Sequence, residues 1–138
     1  MLWERQDGFV PDVVAVDYAD ILAPDKDTEK FDFRNQSNIT WQRLRSLSQE
    51  RHCLVLTATQ AAASAYGKET LAMSDFSEDK RKFAHVTSMF GLNRTSREKA
   101  LGIMRMNQLT LRDSFSDESN FVTVLQCLER GRPIIGSF

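Results

Sequence analysis

Apolar positions occur along this chain in three patterns, and each predicts a different kind of element. Val13 to Val16 and the run "CLVLTAT", Cys53 to Thr59, are nearly continuous apolar stretches. Half-buried strands alternate apolar and polar residues, so continuous runs predict central parallel strands covered on both faces by helices. Between them, Pro24 to Gln36 is polar and without period, which predicts a surface loop. "SNITWQRLRSLSQERH" follows with Ile39, Arg43, Leu44 and Leu47 returning at helical spacing, and Ser37 or Asn38 as N-cap. Strand, helix, strand is the crossover unit of a parallel sheet.

The second half of the chain is patterned differently. "QAAASAYGKETLAMSDF" has small residues and no stable period, predicting a mobile loop. "SEDKRKFAH" predicts a short charged helix capped by Ser77, and Val86 to Leu92 a strand. "TSREKALG" predicts a turn of helix capped by Thr95 or Ser96. Strands over Ile103–Leu111 and Phe121–Leu128, separated by the polar "RDSFSDES", predict an antiparallel hairpin, with one further strand in "GRPIIGSF". The fold class is therefore α/β, with parallel strands at the start followed by a β-meander.

Composition narrows this picture modestly. The 138 residues suit one domain spanning 1–138, with 41% hydrophobic and 27% charged residues, as in globular proteins. A net charge of -1 gives no global signature for nucleic acid, so any such surface must be local. Cys53 and Cys127 each lie in apolar runs, which suits buried free thiols and a reducing cytoplasm better than a disulfide framework. The opening "MLWERQDGF" lacks the apolar core of a secretory leader, and no run reaches membrane-spanning length, so no membrane partner is expected. His52 and His85 stand far apart without partners at zinc-ligand spacing.

The chemistry begins where the first strand stops. In "PDVVAVDYADIL" the apolar run ends on Asp17, and ligands of open α/β sheets gather beyond the carboxyl ends of the strands. An acid there is placed for a metal or nucleotide, or simply begins the next turn. Together with "LVLTATQ" one crossover later and "HVTSMFGLNRTSREKALGIMRMNQLTLRDS", this block resembles the second half of the RecA-like ATPase core of DnaB-like and phage replicative hexameric DNA helicases. The resemblance covers almost the whole chain and implies a partial RecA-like P-loop ATPase fold.

Under that resemblance the first block is a Walker B strand and Asp17 the Mg²⁺ ligand beside ATP. Tyr18 packs alongside, and Asp20, beyond the strand end, is a weaker metal candidate or a turn cap. Gln60 matches the family's polar sensor of the γ-phosphate, with Thr57 and Thr59 as β-formers nearby. Arg112 matches the arginine finger that acts on the neighbouring subunit's nucleotide. The loop after Gln60 is where the family approaches single-stranded DNA, which puts Lys68 and Tyr66 forward as contacts. The resemblance further implies a homo-oligomeric, hexameric ring.

Two departures qualify the match. Thr110 stands where many family members carry a lysine, leaving Arg105 and Arg94 as substitutes or, by default, solvated strand-edge charges. More consequentially, the chain has no Walker A strand, loop and helix. "YGKET" lacks a glycine five residues before Gly67 and has Glu69 where a hydroxyl residue is needed. Mg²⁺ and ATP are thus expected in the intact domain and neither on this chain alone. The expectation is a helicase ATPase fragment, inactive by itself, completed by a missing P-loop half or another replication protein. The alternative is a non-catalytic, degenerate RecA-like module for oligomerisation or partner binding.

Overall fold

The computed structural model describes residues 2–24, 26–76, 80–112 and 120–138, with side chains from residue 5 onward. Contacts divide the chain into two compact units, Met1–Gln60 and Ala61–Phe138.

The first unit contains helix α1 (Leu2–Asp7), strand β1 (Val13–Val16), helix α2 (Phe33–Arg51) and strand β2 (Leu54–Thr57). β1 and β2 pair in parallel, Val13 opposite Leu54 through Val16 opposite Thr57, as the crossover pattern predicts. α2 starts ahead of its expected cap because Asp32 caps it instead, accepting from the Asn35 N–H at 2.9 Å. The Gln36 amide also donates to the Phe31 carbonyl at 2.8 Å, folding the preceding turn onto the helix. At the other end His52 takes a left-handed conformation, φ 52°, and the Cys53 N–H bonds back to Ser48 O. That residue therefore serves to terminate a helix and turn the chain into β2.

Cover on both faces of this pair was the expectation, and the structure corrects it. Val14, Val16, Val55 and Thr57 are half-buried, whereas Val13, Leu54 and Leu56 remain 54%, 57% and 59% exposed. α2 packs against β2. Sequence patterning records what a strand is suited to, and here one apolar face has no cover among the described residues.

The second unit is an antiparallel meander in the spatial order β3 (Ser88–Asn93), β4 (Ile103–Leu111), β5 (Phe121–Cys127) and β6 (Arg132–Ser137). Two short helices, α3 (Lys82–His85) and α4 (Ser96–Ala100), precede and follow β3. The expected Ser77 cap and most of the "RDSFSDES" turn lie outside the described residues. Leu109 and Val124 are buried in the sheet, and Phe76 meets Phe83 edge-on at 5.6 Å. Gly102, φ 67°, admits no side chain: a Cβ would lie 2.4 Å from the Gln126 carbonyl oxygen. Cys53 and Cys127 are free thiols, the first buried and the second half-buried.

Thr95 and Glu98 form a full capping box on α4, and Glu98 also takes the Arg105 guanidinium of β4 at 2.5 Å. Arg105 hydrogen bonding, reinforced by the Thr95 N–H and hydroxyl, lowers the Glu98 carboxyl from its ordinary 4.5 to about 2. A depressed carboxylate stabilises the fold above its unfolded pKa and loses that contribution as pH falls towards the folded value. Glu98→Gln is therefore expected to lower stability near neutrality and to flatten its decline between about pH 4.5 and 2. Urea unfolding across a pH series measures both effects; an unchanged acid limb would refute the assignment.

Candidate functional site

The carboxyl ends of β1 and β2 lie side by side, and their following residues are laced together. Thr57 Oγ1 donates to the Val16 carbonyl at 2.9 Å and accepts from the Ala19 N–H at 3.0 Å. One hydroxyl thus grips the backbone on either side of Asp17 and Tyr18, whose peptide bond is cis. Thr59 donates to one carboxylate oxygen of Asp20, and the buried Trp41 indole of α2 donates to the other at 3.2 Å. Finally, Gln60 Nε2 donates to the Tyr18 hydroxyl at 3.2 Å.

Against this frame the carboxylate of Asp17 is exposed and makes no hydrogen bond or ion pair with the described residues. Strand geometry explains the contrast: Asp17 continues past the ladder, whereas Asp20 is turned back against α2 and the residues after β2. Asp20 is occupied as a hydrogen-bond acceptor, so the reading of it as a turn-holding residue describes its place better than the metal reading. Asp17 directly follows β1, and Gln60, in the segment after the adjacent β2, is tied to the residue next to Asp17 through the Tyr18 hydroxyl. Threonine spacing after a predicted strand carried no signal for the lacing, because β-forming and hydrogen-bonding threonines look alike in sequence.

The remaining candidates belong to the second unit. Arg112, just past β4, is exposed; its backbone N–H bonds to Thr87 O at 2.9 Å and its guanidinium donates to the Ala84 carbonyl of α3. Arg105 is neither a solvated edge charge nor an available cation. Besides pairing with Glu98, it donates to Glu69 O at 2.6 Å and lies over the Phe121 ring at 5.4 Å. Arg94 stays exposed and reaches Gln126 at 3.5 Å.

The segment after Gln60 is more ordered than its sequence suggests. The Ala62 N–H bonds to Asp75 O at 2.9 Å, closing an Ω-like loop that contains two short 3-10 turns. Asp75 is 3% exposed and gathers the Lys68 ammonium and the Ala72 N–H. Lys68 hydrogen bonding, followed by the Ala72 N–H, holds its carboxyl below the usual range. Tyr66, by contrast, is 77% exposed. Lys68 is therefore presented as half of an ion pair, and Tyr66 as an open ring.

No protein-family model matches the sequence, and no curated protein sequence matches it significantly. Among solved structures, one described as an ATPase domain superposes with a TM-score of 0.78 at 18% identity, over 95% of this chain and 46% of that one. A DnaB-like replicative helicase, described with its interactions with primase, superposes with a TM-score of 0.73 at 17% identity, over 90% of this chain and 31% of that one. Over nearly its whole length the chain has the mixed α/β fold found in RecA-like ATPase domains of replicative helicases, and it spans less than half of either chain it resembles.

Proposed function

We propose that this chain is the C-terminal portion of a RecA-like ATPase core from a DnaB-like replicative DNA helicase, serving ATP-dependent unwinding when its P-loop half is present. The observation that supports this most is the placement of Asp17 and Gln60 beyond the carboxyl ends of the paired parallel strands, with Gln60 bonded to the neighbouring Tyr18, within that fold. Fold alone does not imply function, whereas residues of suitable chemistry at the strand ends, where such sheets bind ligands, add a site to the fold.

The donor set fits Mg²⁺ as a partial site. No group of three or more His, Cys, Asp or Glu poised to hold a metal occurs among the described residues. Mg²⁺ commonly takes one or two carboxylates and completes its shell with water and phosphate oxygens, so the exposed Asp17 suffices as this chain's contribution. When bound with ATP, the ion would neutralise charge on the transferring phosphate. Gln60, steadied by Tyr18, keeps its carbonyl oxygen for a water and a second amide hydrogen for a phosphate oxygen. Arg112 would act as the finger on a neighbouring subunit's nucleotide, while Tyr66 and Lys68 would meet single-stranded DNA. Tyr66 offers a stacking face; Lys68 would have to exchange Asp75 for phosphate.

A second reading, a non-catalytic module for oligomerisation or partner binding, is favoured by the exposed face of Val13, Leu54 and Leu56, since uncovered apolar surface promotes association. One assay separates the two. The isolated chain is expected to hydrolyse no ATP. A chimera carrying the P-loop half of a DnaB-like ATPase domain ahead of residue 1 should hydrolyse it, with a rate reduced about 100-fold or more by Asp17→Ala. A folded chimera without hydrolysis would favour the binding module, and hydrolysis insensitive to Asp17→Ala would remove Asp17 from the site.

A further inference from the structure

Two asparagines buried in the antiparallel sheet bind the main chain of a loop as a neighbouring strand would. Asn93 of β3 is 4% exposed and Asn107 of β4 only 1%. Asn93 Nδ2 donates to Asn107 Oδ1 at 2.8 Å, joining the amides directly. Their outward atoms then engage a single residue: the Leu71 N–H donates to Asn93 Oδ1 at 2.7 Å, and Asn107 Nδ2 donates to Leu71 O at 2.9 Å. Each amide carries both a donor and an acceptor, which is why two of them can bond together and still satisfy a peptide donor and acceptor. An aliphatic pair of similar size could fill the space but would leave Leu71 without these bonds.

Room for the clamp comes from Gly91, which pairs with Asn107 across the ladder. A Cβ at that position would lie 2.4 Å from Asn107 Oδ1 and 3.3 Å from Leu71 Cβ. Arg105 extends the attachment by two residues, reaching Glu69 O at 2.6 Å and Thr70 Oγ1 at 3.4 Å. Residues 69–71 are thus held mainly through main-chain atoms, which makes the grip largely independent of the loop's own side chains. Buried polar networks specify one arrangement when satisfied and are costly when incomplete.

We infer that Asn93 and Asn107 are positioning residues: they lock the middle of the 62–75 loop, at Leu71, to β3 and β4 so that Tyr66 is presented in one place for its ligand. The assignment of that ligand as single-stranded nucleic acid rests on the function proposed above; the locking does not. Free-standing, a Gly-containing loop of small residues would sample many conformations, and ordering it would weaken binding. The clamp meets that cost during folding. Asp75, at the loop's closure, holds the residues on either side of the clamp through Lys68 and Ala72, leaving the Tyr66 ring exposed.

Hydrogen exchange read by mass spectrometry tests this on the full chain, with Asn107→Leu and Gly91→Ala as independent variants. The first removes the donor to Leu71; the second pushes on Asn107 from behind while keeping every polar group. Both are expected to raise exchange of residues 66–72 at least about tenfold while β5 keeps its wild-type rate. Unchanged loop exchange in a folded variant, or an equal rise throughout the sheet, would overturn the inference. In parallel, binding of a fluorescent oligothymidylate is followed over a salt series. Weaker binding by both variants with the same salt slope supports positioning, because no phosphate contact is lost. Full affinity despite a loosened loop would overturn the proposed link to Tyr66. Failure of the wild type to bind would refute the nucleic-acid reading, and loop exchange alone would then decide the clamp.

Discussion

Arg112→Ala, introduced into the chimera that supplies the P-loop half, is expected to reduce ATP hydrolysis by about 10³-fold or more, the range associated with loss of an arginine finger. A guanidinium stays charged and presents a planar fork of donors, so the Ala84 carbonyl occupies only part of its capacity. That bond holds the side chain while leaving other N–H groups for phosphate oxygens. Arg112→Lys keeps the charge and loses the fork, and should recover only a small part of the rate. Mixing the Arg112→Ala and Asp17→Ala chimeras provides the decisive measurement. If Arg112 serves a neighbouring subunit's nucleotide, some interfaces in a mixed ring combine an intact Asp17 with an intact Arg112, and activity should rise above either variant alone. A mixture no faster than the average of its parts would remove Arg112 from that role.

Asp20→Ala is expected to lower the unfolding free energy by about 3 kcal/mol, since two hydrogen bonds to a charged acceptor are lost and each contributes about 1.5–3 kcal/mol. Trp41 is 4% exposed, so its indole N–H would lose the Asp20 acceptor within the interior. Thr59 would lose the same partner on the β2 side. Asp20→Asn retains one acceptor oxygen and should cost about 1 kcal/mol. Urea unfolding followed by Trp41 emission, in a Trp3→Phe background, measures the difference. If Asp20→Ala were neutral, Asp20 would not be the tie between α2 and the strand ends.

Much of the fold was legible from periodicity. Val13–Val16 and Ile103–Leu111 are strands at their expected limits, and of the two expected caps, Thr95 and Ser96, the helix uses Thr95. The start of α2 was misplaced because Asp32 and Gln36 act through local side-chain bonds in a segment with no apolar period. For the site, the place of Asp17 directly after β1 was visible, since a strand's end is a feature of the chain itself, whereas β2 stops at Thr57 and not at the expected Thr59, leaving Gln60 beyond the strand end and not directly after it. The surroundings of both residues were not visible. Thr57 and Thr59 bond to residues roughly forty positions away, and nothing in their spacing marks those partners. Arg105 looked like a solvated charge because a nine-residue strand gives no indication that Glu98 and Glu69 will meet it. Asn93 and Asn107 share their strands with other polar residues, Ser88, Arg105, Gln108 and Thr110, so period alone does not mark them as buried or separate them from solvent-facing positions.

Local chain chemistry was enough to establish the order of elements, the parallel start and the antiparallel finish. Those features depend on side-chain period, capping and turn chemistry within a few residues. Folding in three dimensions settled which polar groups are engaged: Asp20 turned inward and Asp17 outward, Lys68 held by Asp75, and Leu71 gripped by two buried amides. The physical reason is that a hydrogen bond is made between neighbours in space, and burial makes an unmet donor or acceptor costly whatever its distance along the chain.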